Sequence, residues 1–282
     1  MKILYLHQYF NTPNMSGGTR SYEFAQRLVS SGHEVHMITS RRDSTSSNKT
    51  YIENTDGINV YWIYVPYSNS FGFLRRILAF IKFIVLSSIL SLKIKSDIVF
   101  ATSTPLTIAI PAIVCSKVKG VPMVFEVRDL WPELPIAVGA IKSGILIRLA
   151  KILEETTYFH SKYVIALSPG MKEGIAKTGY PLLKIKVIPN SCDIVRFDVP
   201  EIEGINFRKS HNWIGDRMLV VYTGSFGLIN GVSYFVHMAK EMKKLNQNIV
   251  FLAVGEGKEK EKLYDSAHKE GVLSNNFFIL PP

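Results

Sequence analysis

The stretch VPMVFEVRDLWPELP, residues 121–135, decides the fold. Val121, Met123, Val124, Phe125 and Val127 make a nearly continuous apolar run, the pattern of a parallel strand covered by helices on both faces. Within a few residues the run releases Glu126, Arg128, Asp129, Trp131 and Glu133. Pro132 and Pro135 are predicted to keep helix out of this segment. Ligands of open parallel sheets bind outside the carboxyl ends of the strands, so a charged, aromatic loop there is a candidate site. The alternative is a solvated loop anchored by Trp131. Charges placed beside an aromatic ring at a strand end favour the site.

Working outward, the same alternation recurs. Upstream, residues 97–101 read as a strand, 102–105 as its polar end and 107–119 as a helix closed by Gly120. Downstream come a helix over 145–160, a strand over 163–167 ending in Ser168, a short helix over 169–177 and a strand over 186–188 that ends in Pro189 and Asn190. At the amino end, residues 3–6 form a strand and the loop HQYFNTPNMSGGTR follows. SYEFAQRLVSSG is a helix with Tyr22, Phe24, Ala25 and Leu28 inward, and residues 34–39 form the next strand. Residues 58–65 alternate as another strand. The reading is α/β, a mostly parallel Rossmann-like sheet. Gly17 and Gly18 stand just before the first helix, where backbone amides and the helix dipole can hold a phosphate. The same pair also fits a plain turn. It is not GxGxxG, and no acid closes the second strand to grip a ribose.

With 282 residues the chain is long for one doubly wound domain. A net charge of +10 points to an acidic partner: a phosphate-rich ligand, an anionic membrane or nucleic acid. Cys115 and Cys192 lack metal spacing and read as reduced cytosolic thiols. His7 and Gln8 interrupt the apolar start too early for a signal peptide. Residues 41–50 are polar, Ser-rich and expected to be mobile.

Residues 71–95, FGFLRRILAFIKFIVLSSILSLKIK, are strongly apolar, with five cations and no acid. The uncharged run over 83–92 is far below the roughly 20 residues needed to cross a bilayer. A helix lying on an anionic membrane face is expected, with Phe73, Leu74, Ile77, Phe80, Ile81, Ile84 and Val85 buried in it and Arg75, Arg76 and Lys82 at the head groups. The alternative is a core helix with snorkelling ends.

Residues 201–216 are polar and are predicted to be an irregular linker between a domain over 1–200 and a second unit over 217–282. That unit reads as strand 218–223, loop GSFGLINGV, helix 233–245, strand 249–254, loop GEGK, helix 259–270 and strand 277–280. It is small for an α/β domain, so the chain is expected to be cut short. No DxD, GxxxxGK[ST], HExxH, CxxC or GxSxG occurs. The lack of a dinucleotide fingerprint speaks against a nicotinamide-binding protein.

These motifs in order resemble a GT-B glycosyltransferase of family 4, of the bacterial O-antigen and capsule type exemplified by the L-fucosamine transferases. The carriers are LHQYF with GGTRSYEFAQRLVSSGHEV, FEVRDLWPE, ALSPGMKEGI with KIKVIPNSCDIVRF, and YTGSFGLINGV with FLAVGEGKEKEKL. The resemblance covers nearly the whole chain. It implies transfer of a sugar from a nucleoside diphosphate sugar, with retention and without metal or cofactor, to a lipid-linked sugar acceptor. The work would be done by a peripheral protein at the cytoplasmic membrane face, with no nucleic acid as partner; no oligomeric state is read from it. The catalytic set would be Arg128, Asp129 and Glu133 at the cleft between the two units. Arg128 stands where many relatives carry histidine, and Asp129 would orient the acceptor. His7, Gln8 and Trp131 would bind the acceptor. The donor would meet Gly17, Gly18, Asn190, Gly224, Ser225, Asn230 and Gly255. Ser225 and Asn230 stand where many relatives carry the Arg and Lys that grip the diphosphate. The family's donor-binding Glu pair belongs beyond position 282, so the 282-residue form is expected to be inactive. The rival reading is a non-catalytic sugar- or partner-binding remnant.

Overall fold

The computed structural model describes residues 1–282 except 16, 42–49, 67–71, 138 and 140, together with all side chains of the described residues but those of Phe73, Leu74, Arg76 and Pro135. The chain forms two compact units, Met1–Ser191 and Cys192–Pro282. The division falls ahead of the boundary expected from composition.

In the first unit the elements are β1 (Lys2–Leu6), α1 (Arg20–Ser30), β2 (Glu34–Arg41), β3 (Tyr51–Thr55), β4 (Ile58–Tyr64), α2 (Phe73–Lys93), β5 (Ile98–Thr102), α3 (Ala109–Lys119), β6 (Met123–Val127), α4 (Glu133–Ala137), α5 (Gly144–His160), β7 (Tyr163–Ala166), α6 (Pro169–Ala176) and β8 (Ile185–Val187). The eight strands lie in the order β3-β4-β2-β1-β5-β6-β7-β8. All pairings are parallel except β3 with β4, which form an antiparallel hairpin at the edge. The hairpin turns at Asp56-Gly57, both with positive φ, the turn chemistry such a short connection needs.

Alternation along β1 divides the core. Leu4 and Leu6 join a cluster with Phe83 of α2, Ala112 of α3, Tyr158 of α5 and Ile175 of α6. Ile3 and Tyr5 point to the other face, against Ala25, Phe24 and Leu28 of α1. The sheet is thus covered on both sides, as its apolar strands require.

The second unit holds α7 (Ile194–Phe197), α8 (Glu201–Ser210), β9 (Met218–Thr223), α9 (Ser233–Leu245), β10 (Ile249–Val254), α10 (Lys260–Lys269) and β11 (Phe277–Leu280). Its three strands are parallel in the order β11-β10-β9, around a core that includes Phe226, Val236, Phe251, Leu263 and Phe277.

Three expectations change. Residues 201–210 are helical rather than irregular: Pro200 precedes the helix, Glu201 and Glu203 occupy its first turn and Arg208 and Lys209 its last, which suits the dipole at both ends. The prolines do not exclude helix after Trp131. Pro135 falls in the first turn of α4, where backbone N–H groups have no helical partner anyway. The polar stretch before residue 51 leads into a strand, β3; its residues 42–49 lie outside the described residues.

α2 packs one face on α3, burying Ala79, Phe83, Ser87 and Ser91. Ile77, Leu78, Ile81, Val85, Ile89 and Leu92 are exposed. At about 100° per residue these six fall within one third of the helix circumference. The expected membrane-facing set is therefore shifted: Ile77, Ile81 and Val85 remain, Phe80 and Ile84 are half-buried, and Phe71 and the side chains of Phe73, Leu74 and Arg76 lie outside the described residues. Among the described residues no helix is long and apolar enough to cross a membrane.

Candidate active site

The carboxyl ends of β1, β5 and β6 meet the loop that precedes α1. β1 delivers His7 and Gln8, both buried. The Gln8 carbonyl accepts from Ser40 N at 3.0 Å, Ser40 Oγ at 2.6 Å and Thr39 Oγ1 at 3.1 Å, which fixes where the loop leaves the sheet. The imidazole of His7 is desolvated and lies near the Arg128 guanidinium; burial first, and that positive charge second, push its pKa down to about 3. His7 is neutral across the physiological range, so it can orient a hydroxyl by hydrogen bonding but is too weak a base to remove its proton. Its Nδ1 and the Gln8 Oε1 are buried with no partner among the described residues. Such groups are uncommon in a folded protein and mark a place for a ligand or water.

β6 delivers Arg128 and Asp129. The Arg128 amide donates to Ser103 Oγ at 2.9 Å, and Thr104 Oγ1 donates to Asp129 Oδ2 at 3.3 Å. The end of β5 thereby sets both residues. A methyl group on Gly18 would lie 3.7 Å from Arg128 Nη2, so the guanidinium stands beside the glycine loop. Gly17 has φ +134° and its missing side chain leaves room for Asn11 Nδ2, which would be only 2.5 Å away. Trp131 is half-buried against the core on the side of α5, and Glu133 is exposed on α4. Glu133 is not brought to the hydrogen-bonded group of Ser103, Thr104, Arg128 and Asp129.

The charged residue that ties this end of the sheet together was named in the apolar run but given no role. Glu126, fully buried within β6, accepts at Oε1 from Arg20 Nε at 3.0 Å and Nη2 at 2.8 Å, and at Oε2 from Thr102 Oγ1 at 2.6 Å. Arg20 Nη1 and Nη2 also donate to the carbonyls of Pro189 and Ile188 at 2.9 and 3.0 Å, and its guanidinium lies 4.7 Å from the centre of the Phe24 ring. Arg20 thus joins the start of α1 to β6 and to the turn after β8 that carries Asn190. The signal was available: a carboxylate inside an apolar parallel strand must have a buried cation or donors.

In the second unit the loops after β9 and β10 interlock. A side chain on Gly255 would come within 1.9 Å of the Gly224 carbonyl oxygen, and one on Gly257 within 2.3 Å of that of Phe226. Only glycine allows this approach. The Ser225 carbonyl accepts from Tyr222 Oη at 2.9 Å and Asn230 Nδ2 at 2.5 Å. The Asn230 amide therefore braces its own loop, while Ser225 stays exposed.

Residues 17–191, most of the first unit, match the glycosyl transferase 4-like domain. The chain belongs to that family. This family 4-type glycosyltransferase is 24% identical over 298 residues to a protein of Escherichia coli K12, by name the colanic acid biosynthesis glycosyl transferase WcaI, covering 99% of this chain and 72% of that one. Its GT-B fold is shared with solved structures at low identity. Sucrose-phosphate synthase of Thermosynechococcus elongatus superposes with a TM-score of 0.72 at 14% identity, over 99% of this chain and 70% of the other. Anabaena Alr3699/HepE, in complex with UDP-glucose, gives 0.66 at 15%, over 100% and 69%. WaaG, a glycosyltransferase involved in lipopolysaccharide biosynthesis, gives 0.62 at 16%, over 99% and 70%.

Proposed function

We propose that this glycosyltransferase transfers a sugar from a nucleoside diphosphate sugar, with retention and without a metal ion, to a lipid-linked saccharide of a bacterial surface polysaccharide of the O-antigen or capsule type. The observation that carries the reading is the Arg128 guanidinium beside Gly18 at the amino end of α1. A cation and a row of free backbone amides together suit a diphosphate leaving group. Arg128 would supply positive charge that Ser225 and Asn230 cannot. Asp129, held by Thr104, would orient the acceptor hydroxyl, with neutral His7 beside it as a hydrogen-bonding partner. Gly224, Ser225 and Gly255 would form the second unit's share of the donor site, Asn230 acting through the Ser225 carbonyl. The UDP-glucose complex of HepE and the polysaccharide roles in the names of WcaI and WaaG support this substrate class.

A lipid-linked acceptor would hold the enzyme at the inner face of the cell membrane. α2 and α5 both pack on α3, and α5 exposes Ile145, Leu149 and Ile152 as α2 exposes its own stripe. Arg75 and Lys82 border a hollow of about 320 Å³ beside Leu78, a combination of cation and apolar surface that suits an anionic lipid head group.

Calorimetric titration of the protein with UDP, GDP and their sugars tests the donor assignment. Binding of one nucleotide series, weakened at least about tenfold by Arg128→Gln, is expected for the loss of one charge-assisted contact. Absence of binding by both series would reject it.

A further inference from the structure

The first unit holds a cavity of about 710 Å³ lined in part by the stretch 10–15 ahead of the glycine pair, within the span of roughly 300–1,000 Å³ typical of ligand pockets. It opens between the loop after β1, the end of β2 and the β3–β4 hairpin. Its aromatic lining is Tyr51, exposed, and Tyr22, half-buried, backed by the buried Phe10 and Trp62, and Glu53 and Asp56 supply carboxylates. We infer that this cavity binds an uncharged pyranose segment of the acceptor glycan, beyond the sugar that receives the transferred residue. The inference rests on the glycosyltransferase reading and extends it to a subsite.

The carboxylates are aimed by the aromatic residues. Trp62 Nε1 donates to Glu53 Oε2 at 3.0 Å, and Tyr22 Oη donates to Asp56 Oδ2 at 2.6 Å. Among the described residues the second oxygen of each carboxylate accepts no hydrogen bond. Each is therefore a fixed acceptor, and fixed acceptors bind with little ordering cost. Vicinal sugar hydroxyls are donors of the right kind, while the C–H bonds of a pyranose face are attracted to the negative faces of aromatic rings. Tyr51 stacks on Trp62 with 22° between the planes, and Phe10 lies 6.0 Å from Trp62, so the exposed Tyr51 ring is held in place by the buried ones.

Charge selects against the donor. Arg41 lies with its guanidinium 5.2 Å from the centre of the Tyr51 ring and 5.6 Å from that of Tyr64. Arg41 lines the cavity as well, but Glu53 and Asp56 together outnumber it, so the cavity carries net negative charge, which disfavours a phosphate. Asn11 connects the two places: it lines the cavity and packs on Gly17. A glycan lying in the cavity is thereby led along the loop toward Arg128 and Asp129.

Saturation-transfer NMR on the whole protein tests the subsite with glucose, galactose and N-acetylglucosamine, and with glucose 6-phosphate, UDP and GDP as separate arms. At least one neutral sugar should give saturation transfer, glucose 6-phosphate should not displace it, and the double variant Glu53→Gln, Asp56→Asn should weaken it about tenfold or more. Asn tolerates the positive φ of Asp56, so the hairpin turn is kept. No signal from any neutral sugar, an unchanged signal in the double variant, or displacement by glucose 6-phosphate overturns the inference. Nucleotide binding is read independently with UDP and GDP: a protein that binds sugar but neither nucleotide keeps the subsite and loses the donor assignment, and the reverse result does the opposite.

Discussion

Arg20 Nη2 lies 2.8 Å from Glu126 Oε1, with the carboxylate wholly buried and the guanidinium shared with two carbonyls after β8. Removing one partner of such a pair leaves an uncompensated buried charge, at a cost of about 3–5 kcal/mol. Arg20→Met should therefore lower the stability of the first unit by that order, and Arg20→Met with Glu126→Gln should recover part of it. Urea unfolding followed by the fluorescence of Trp62 and Trp131 checks this. Equal stability of Arg20→Met and the parent would show that the pair holds nothing together.

Two buried groups give the first unit opposing pH dependences. His7 falls from 6.5 to about 3 on folding, so the unfolded chain binds a proton that the folded one refuses; stability is complete above pH 6.5 and is lost as pH falls toward 3. Glu154, desolvated in α5 and accepting from Tyr158 Oη at 2.9 Å, rises from 4.5 to about 7. Its contribution is complete below pH 4.5 and is lost as pH rises to 7. Between pH 4.5 and 6.5 the two slopes cancel, each at most about 1.4 kcal/mol per pH unit. His7→Asn should leave a protein that weakens as pH rises through this window, and Glu154→Gln one that strengthens. Urea midpoints at pH 4.5, 5.5 and 6.5 measure both slopes.

Glycine matters unequally in the second unit. Gly255→Ala drives a methyl group into the Gly224 carbonyl at φ +156° and should break the interlock of the two loops. Gly231 also has a positive φ, +59°, but open space around it, so Gly231→Ala should cost only about 1 kcal/mol. Hydrogen exchange of the amides of Gly224, Phe226 and Glu259 should rise sharply in the first variant and little in the second.

The exposed stripe of α2 predicts a salt-sensitive membrane association. Ile81→Glu with Val85→Glu places two acids on a face that is already half-exposed, so folding should survive while flotation with anionic vesicles is lost. Lys82→Gln should weaken flotation by about 1 kcal/mol or less. Vesicle binding that is indifferent to both changes would remove α2 from the membrane face.

The periodic part of this protein was legible in the sequence. Apolar runs such as 123–127 and 249–254 stand in covered parallel strands, and the helix 233–245 shows its inward face clearly. What escaped depends on partners distant in sequence. β3 carries Ile52, Glu53 and Asn54 on an edge with both faces largely exposed, so no alternation marks it. The Arg20–Glu126 pair links residues 106 positions apart. The cavity beside Trp62 needs β3 and β4 to be paired before its carboxylates converge, and only then do Glu53 and Asp56 meet their aromatic donors. Arg128, Asp129 and His7 lie where strand ends announce a site, whereas Glu133 lies exposed on α4, a helix that the two prolines hid from the sequence reading.

The most direct measurement is transfer itself. A form of the protein extended past residue 282 to include the family's donor-binding Glu pair is incubated with radiolabelled UDP- and GDP-sugars and membrane lipid extract, and label is counted in the organic phase. The account predicts lipid-extractable label from one donor series, reduced on the order of a hundredfold by Asp129→Asn. Label that never enters the lipid fraction from any donor, although the same donors bind, would contradict it and leave a sugar-binding protein without transfer.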